Sequence, residues 1–329
     1  MIRFGIIGTN TITEKFIQAA RQAEGAAIAA VYSRKEETAA AYADKHGIEH
    51  RFTSLDAMLA SDAIDAVYIA SPTAYHMQHA IACMDAGKHV LCEKPVASND
   101  RELKLMIEAA ERNQVLFMEA MKSTLTPAFA AIAEQLPKIG KVRRYFASYC
   151  QYSSRYDAYK RGEVMNAFKP DLSNGALMDI GVYGIYPAVV LFGQPTGVKA
   201  EAYMLESGVD GEGSMILKYE DMDAVIMYSK ITNSLVPSEI QGENGNILID
   251  QISEPRQVRI HYRDGRVEDI SVAHQIADVM MYEIQEFVNL IRSGKTESTV
   301  NSHANSLAVQ GIMTEARQQF GLVFPADAR

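Results

Sequence analysis

Residues 5–13 read GIIGTNTIT and overlap the apolar run IRFGII of residues 2–7. A β-rich run that breaks at a glycine and resumes in helix formers is a strand, a tight turn and a helix start. In a dinucleotide-binding turn, glycines permit the bend and let backbone amides approach a pyrophosphate at the helix N-terminus. Gly8 fills that pattern, while Asn10 and Thr13 stand where the second and third glycines are expected. Asn tolerates left-handed geometry better than most residues, so Asn10 is read as a substitute. Gly8, Thr9, Asn10, Thr11 and Ile12 are the candidate pyrophosphate contacts. An ordinary strand-to-helix turn is the competing reading.

Outward from this turn the rhythm repeats. AAIAAVYS, DAVYIAS, KHVLCE and VLFME follow, separated by helix-forming segments at 11–22, 35–46, 74–86 and 99–113. Such alternation predicts βαβ units and a parallel sheet, and continuous apolar strands such as AVYIA suit burial on both faces. After about residue 120 the pattern changes to a helix from Thr126 to Leu136, strands near 141–151 and a helix near 175–191. Short strands joined by turns follow, with Asn244-Gly245 marking a hairpin, then helices at about 277–292 and 303–319. The expected architecture is α/β: a doubly wound parallel sheet in residues 1–120, then an α+β domain with a largely antiparallel sheet in residues 121–329.

The composition narrows the function. A 329-residue chain with 48% hydrophobic residues can bury a sizeable core, and its net charge of −9, with no strongly basic patch, opposes nucleic acid or an anionic membrane as partner. Cys83, Cys92 and Cys150 are widely spaced and form no Cys-x-x-Cys, which favours a reducing compartment. The chain begins directly in a strand, and no apolar run is read as long enough to span a bilayer; a cytoplasmic location is expected.

The second strand ends VYSRKE. Where an NAD-binding domain places an acidic residue for the ribose hydroxyl, this chain has Ser33 and Arg34, a hydroxyl and a guanidinium suited to a 2′-phosphate. NADP(H) is the expected cofactor, with NAD(H) possible. Ser71, Pro72 and Thr73 end the AVYIA strand at the same edge of the sheet, although Thr73 reads equally as a helix cap. His76 belongs to this segment and is placed among the cofactor contacts. With His79 it forms a pair one turn apart, for which structural roles are favoured over metal binding because no acidic or cysteine partner accompanies them.

At residues 90–99 the chain reads VLCEKPVASN. Glu93 and Lys94 end a strand at the same sheet edge and are placed among the cofactor contacts, and Pro95 biases Lys94 away from helix and gives its side chain a defined direction. An exposed loop lysine is the other reading. GIIGT, SPTAYH, EKP, FMEAM and GALMDIGVYGIYP together resemble the Gfo/Idh/MocA oxidoreductase family along almost the whole chain, nearest the branch with dimeric dihydrodiol dehydrogenase and xylose dehydrogenases.

That resemblance implies a Rossmann-type NAD(P)-binding domain and a second domain that binds substrate and oligomerises, as a homodimer or homotetramer. It implies an oxidoreductase for a sugar, sugar derivative or polyol, with Lys94, Asp179 and Tyr183 as catalytic residues and no metal. Asp179 and Tyr183 are four apart and share a helix face. The phenol's ordinary pKa of about 10 is too high for a ready base, and a neighbouring ammonium lowers it. Tyr183 then exchanges the hydroxyl proton, Lys94 polarises the oxygen or relays the proton, and Asp179 orients substrate or lysine. Glu119, Asn166 and Phe168 are candidate substrate contacts, with a structural role as the alternative for Glu119. Ala167 stands where many relatives have arginine, and the chain has no Trp. A cofactor-sensing regulator and an enzyme that retains NAD to process glycosides are the alternative functions.

Overall fold

The computed structural model describes residues 1–272 and 278–328, and two compact units emerge. The first comprises Met1–Ala97, Arg101–Lys122 and a segment ending at His303. Its sheet contains β1 (Ile2–Ile7), β2 (Ala26–Tyr32), β3 (His50–Phe52), β4 (Ala66–Ile69), β5 (His89–Glu93) and β6 (Phe117–Ala120). The order is β3-β2-β1-β4-β5-β6 and every pair is parallel. This is the doubly wound order, whose ligands bind beyond the carboxyl ends of the strands. The connecting helices are α1 (Thr11–Ala20), α2 (Glu36–His46), α3 (Leu55–Leu59), α4 (His76–Asp85) and α5 (Asp100–Asn113). The expected strands and helices are all present. β3 and α3, at three and five residues, are too short to leave a periodic signal.

β4 and β6 are buried along their whole length, as strands covered on both faces must be. Phe4, Phe16 and Tyr68 form an aromatic core, with the Phe16 and Tyr68 rings stacked at 3.7 Å. Each such side chain contributes about 1.5–3 kcal/mol by leaving water. The helix Met280–Arg292 completes this unit from far along the chain, with Phe287 5.7 Å from Phe4 and packing against α1. Its expected start at about residue 277 lies outside the described residues. The compact units therefore interleave along the chain, with Met280–Arg292 in the first.

The second unit joins Ser98–Asp100, the segment starting at Ser123 and the C-terminal segment from Ala304. Its eight strands are β7 (Val142–Cys150), β8 (Gly197–Met204), β9 (Asp210–Lys218), β10 (Asp223–Ser229), β11 (Ser238–Gly242), β12 (Gly245–Ile249), β13 (Val258–Tyr262) and β14 (Val267–Asp269). The order is β14-β13-β12-β11-β7-β10-β9-β8, antiparallel except for the parallel pair β7–β10. The hairpin expected at Asn244-Gly245 joins β11 to β12, with Gln241 opposite Asn246. The helices are α6 (Pro127–Gln135), α7 (Tyr156–Lys160), α8 (Val182–Phe192) and the closing helix His303–Gln319.

The helix expected near 175–191 has two registers, a π-turn at Leu177–Gly181 and then α8. Gly184 lets α8 lie close on the sheet: a Cβ there would sit 2.6 Å from the Ile226 side chain. Contrary to the sequence reading, the stretch Pro170–Phe192 is long and apolar enough to cross a membrane. It is 72% buried, as the core helix of a globular enzyme is.

Candidate active site

The candidate residues of the first unit lie at the carboxyl edge of the parallel sheet. After β1, Gly8 adopts φ +114°, and a Cβ there would stand 2.6 Å from the Ala70 carbonyl oxygen. Glycine is required because the turn passes directly over the end of β4. Asn10 corrects the sequence reading. Its φ of −104° and ψ of 180° are extended, and it is the N-cap of α1. Its side-chain oxygen accepts from the Thr13 amide at 3.2 Å and the Thr13 hydroxyl at 3.1 Å, and its Nδ2 donates to the Ala70 carbonyl at 2.8 Å. Asn10 thus fastens the turn to β4 instead of supplying a glycine's conformation. At Thr11 and Ile12 the first-turn amides have no intrahelical acceptor, so the turn at Gly8 and the helix N-terminus fit a cofactor pyrophosphate.

Arg34 is exposed beyond β2, and the Ser33 amide is fixed by the Phe52 carbonyl at 3.1 Å. Ser71 pairs through its hydroxyl with His79 Nδ1 at 3.0 Å. Burial, and then the charge of Arg34, hold His79 below its ordinary pKa. Thr73 opens a 3₁₀ turn that Pro72 precedes, and the N-cap of α4 is Tyr75, so Thr73 does not cap the helix.

The backbone around Lys94 is held at three points. The Glu93 carboxylate accepts the Tyr68 hydroxyl at 2.5 Å and the Lys94 amide at 3.3 Å. The Pro95 carbonyl lies 3.1 Å from His76 Nδ1, whose other nitrogen faces the Ser71 carbonyl at 2.8 Å. Glu119 Oε1 accepts the Val96 amide at 3.1 Å. The Lys94–Pro95 peptide is cis and Lys94 is half-buried. This over-determined loop is the physical role of the flanking residues.

Glu93 and His76, expected among cofactor contacts, have these polar atoms engaged inside the unit, and Glu119 takes the structural role. Burial raises the Glu93 pKa, opposed by the Tyr68 hydrogen bond and the charges of Lys94 and Lys122. Burial pushes His76 down to about 4, keeping the ring neutral. Sequence reasoning missed Tyr68; the signal was a tyrosine within a wholly apolar strand, whose hydroxyl needs a partner when buried.

The remaining candidate residues belong to the other unit. Asp179 sits on the π-turn, a feature frequent at functional sites. Lys230 Nζ donates to Asp179 Oδ2 at 2.7 Å, with side-chain exposures of 3% for the lysine and 39% for the aspartate. The same ammonium lies 3.5 Å from the Ala167 carbonyl and 5.2 Å from the Phe168 ring centroid. Phe168 is 0% exposed, so it is a core ring and not the expected substrate contact, whereas Asn166 beside it is exposed. Tyr183, one turn beyond Asp179, is half-buried and meets Tyr149 edge to face at 5.6 Å.

Beneath the π-turn, buried Asp210 accepts the Leu177 amide at 2.6 Å, and burial pushes its carboxyl up to about 6. Lys230 was missed in the sequence, although DAVIMYSK repeats the strand-end lysine of HVLCEK.

Residues 2–121 match a family model described as oxidoreductase family, NAD-binding Rossmann fold, and residues 134–248 match the Gfo/Idh/MocA C-terminal domain. The chain is 56% identical over 327 residues, 99% of each chain, to scyllo-inositol 2-dehydrogenase (NADP(+)) IolU of Bacillus subtilis (strain 168). It is 30% identical to trans-1,2-dihydrobenzene-1,2-diol dehydrogenase of Danio rerio over 100% of this chain and 99% of that one. Aldose-aldose oxidoreductase from Caulobacter crescentus, solved with glycerol, has the same fold, with a TM-score of 0.86 at 19% identity over 100% of this chain and 98% of that one.

Proposed function

The chain belongs to the Gfo/Idh/MocA oxidoreductase family, and from that premise we propose that it oxidises a neutral cyclic polyol of the inositol type at a CH–OH carbon with NADP+. The 56% identity along 99% of both chains to an enzyme named for scyllo-inositol and NADP+ carries this reading. Residues 1–120 bind the cofactor. Backbone amides from Thr9 to Ile12 hold its pyrophosphate, Ser33 and Arg34 its 2′-phosphate, and Ser71 to Thr73 lie along the same sheet edge. When bound, the nicotinamide supplies the hydride acceptor.

Lys94 donates a hydrogen bond to the substrate oxygen, Tyr183 takes the hydroxyl proton, and Asp179 accepts from a neighbouring hydroxyl to fix the ring. The rigid backbone on both sides of Lys94 supports this assignment, because positioning determines how well a polarising group works. Residues 121–329 bind substrate, with Asn166 as an exposed contact.

The same domain forms the oligomer through its open sheet face. Lys199, Ile216, Val225, Phe146 and Glu239 form one cross-strand row, apolar in the middle with opposite charges at its ends. A second copy related by a two-fold axis would bury the centre and oppose Lys199 with Glu239.

The deciding experiment is NADP+ and NAD+ reduction by purified protein with scyllo-inositol, myo-inositol, xylose and glucose. The expected result is the highest kcat/KM for scyllo-inositol with NADP+. No reduction with any polyol would overturn the reading and favour a cofactor sensor.

A further inference from the structure

A lysine as enclosed as Lys230 is costly to bury unless its charge is paired. Its partner is the Asp179 carboxylate at 2.7 Å, and its remaining neighbours include the Ala167 carbonyl and the Phe168 ring. Resting on the function proposed above, we infer that Lys230 is the positioning residue of the active site: it fixes the plane of the Asp179 carboxylate and ties that carboxylate to the 166–168 loop.

The argument is geometric. Commitment of Oδ2 to a buried ammonium sets the direction of Oδ1, on a side chain that is otherwise more than a third exposed. Lys230 continues β10, whose Ser229 is locked to Thr232 by hydroxyl contacts, so the ammonium is delivered from a rigid strand end. Asp210 is a fully buried acid whose carboxyl also feels the Lys230 charge, but its Oδ2 is occupied by the Leu177 amide. At 3% exposure the ammonium is too enclosed to be a principal ligand for substrate, and its influence passes through Asp179 and the 166–168 loop.

The test compares Lys230→Met, Lys230→Gln and Lys230→Arg with Asp179→Asn and the Lys230→Met/Asp179→Asn double variant. Lys230→Met is expected to lower kcat/KM for the polyol about 100-fold, the scale of an ångström-level misplacement. NADPH affinity should stay unchanged. Lys230→Arg should recover most of the loss by pairing with the carboxylate. The double variant should be no slower than Asp179→Asn alone, because both remove one interaction.

Wild-type kcat/KM in Lys230→Met, or losses that multiply in the double variant, would overturn the inference. Lys230→Gln keeps a polar group in the buried position and replaces Lys230→Met if that variant does not fold; full activity in it with an Asp179 carboxylate displaced in its crystal structure is equally decisive against. Wild-type inactivity on every polyol would overturn the functional reading instead. The crystal structure of the Lys230 variant then decides, since an Asp179 carboxylate that has not moved refutes the positioning role.

Discussion

Tyr68 donates its phenol hydrogen to the buried Glu93 carboxylate at 2.5 Å, one residue before the strand-end lysine. The phenol compensates for part of the desolvation that raises the Glu93 pKa. Tyr68→Phe removes a hydrogen bond to a charged group and leaves one carboxylate oxygen unsolvated. Stability should fall by about 1.5–3 kcal/mol, read as a lower urea midpoint, and turnover should fall with it because the Lys94 amide is bonded to the same carboxylate. An unchanged midpoint would separate Glu93 from the support of the loop.

Arg34 should determine cofactor choice. A guanidinium–phosphate contact is worth about 1.5–3 kcal/mol, so Arg34→Ala should weaken NADPH binding roughly 10- to 100-fold and leave NADH binding nearly constant. Nicotinamide fluorescence titration measures both. An unaltered preference would remove Arg34 from the cofactor site.

Lys94→Ala and Tyr183→Phe should each lower kcat by about 10²–10⁴, the usual range for losing a proton-transfer or polarising group, while NADPH affinity holds. Single-turnover kinetics at saturating cofactor check this. Wild-type rates in either variant would exclude that residue from the chemistry.

Asp210 makes a signed prediction for pH. Its native pKa, about 6, exceeds the ordinary 3.8, so the folded state holds its proton more tightly than the unfolded chain does. That contribution to stability is fully present below about pH 4 and is lost as pH rises through about 6. The difference corresponds to about 3 kcal/mol. Asp210→Asn cannot ionise and still offers an oxygen to the Leu177 amide. The Tm difference, variant minus wild type, should therefore increase between pH 5 and pH 8; a difference independent of pH would count against a proton on Asp210.

For the sheet face, Ile216→Glu places a charge at the centre of the apolar row and should convert the oligomer to monomer in light scattering. The residue is 48% exposed in the single chain, so folding should be unaffected. A monomeric wild type would refute the proposed interface.

The parallel sheet was legible because its strands are continuous apolar runs separated by helix formers, and Gly8 and Lys94 fall at its edge for the same reason. What could not be read was polar pairing across distance in sequence. Asn10 looked like a glycine substitute, but the Ala70 carbonyl, sixty residues away, recruits it as a cap and tether. Glu119 and His76 carried the right chemistry for a cleft and instead hold the loop around Lys94. Phe168 lay in a substrate-side segment, yet its ring is fully buried, with the Lys230 ammonium against it. Periodicity encodes which face is buried, not which buried polar atom meets another.

The helix Met280–Arg292 bears on the order in which the protein is made. Phe287 covers one side of Phe4, so part of the apolar surface of β1 stays uncovered until the chain has been extended through residue 287. A nascent chain halted after residue 122 has all six strands of the first sheet but none of this covering. The nucleotide-binding unit is therefore finished late, and a fragment cut at the end of its sheet carries an exposed apolar face that the whole chain conceals.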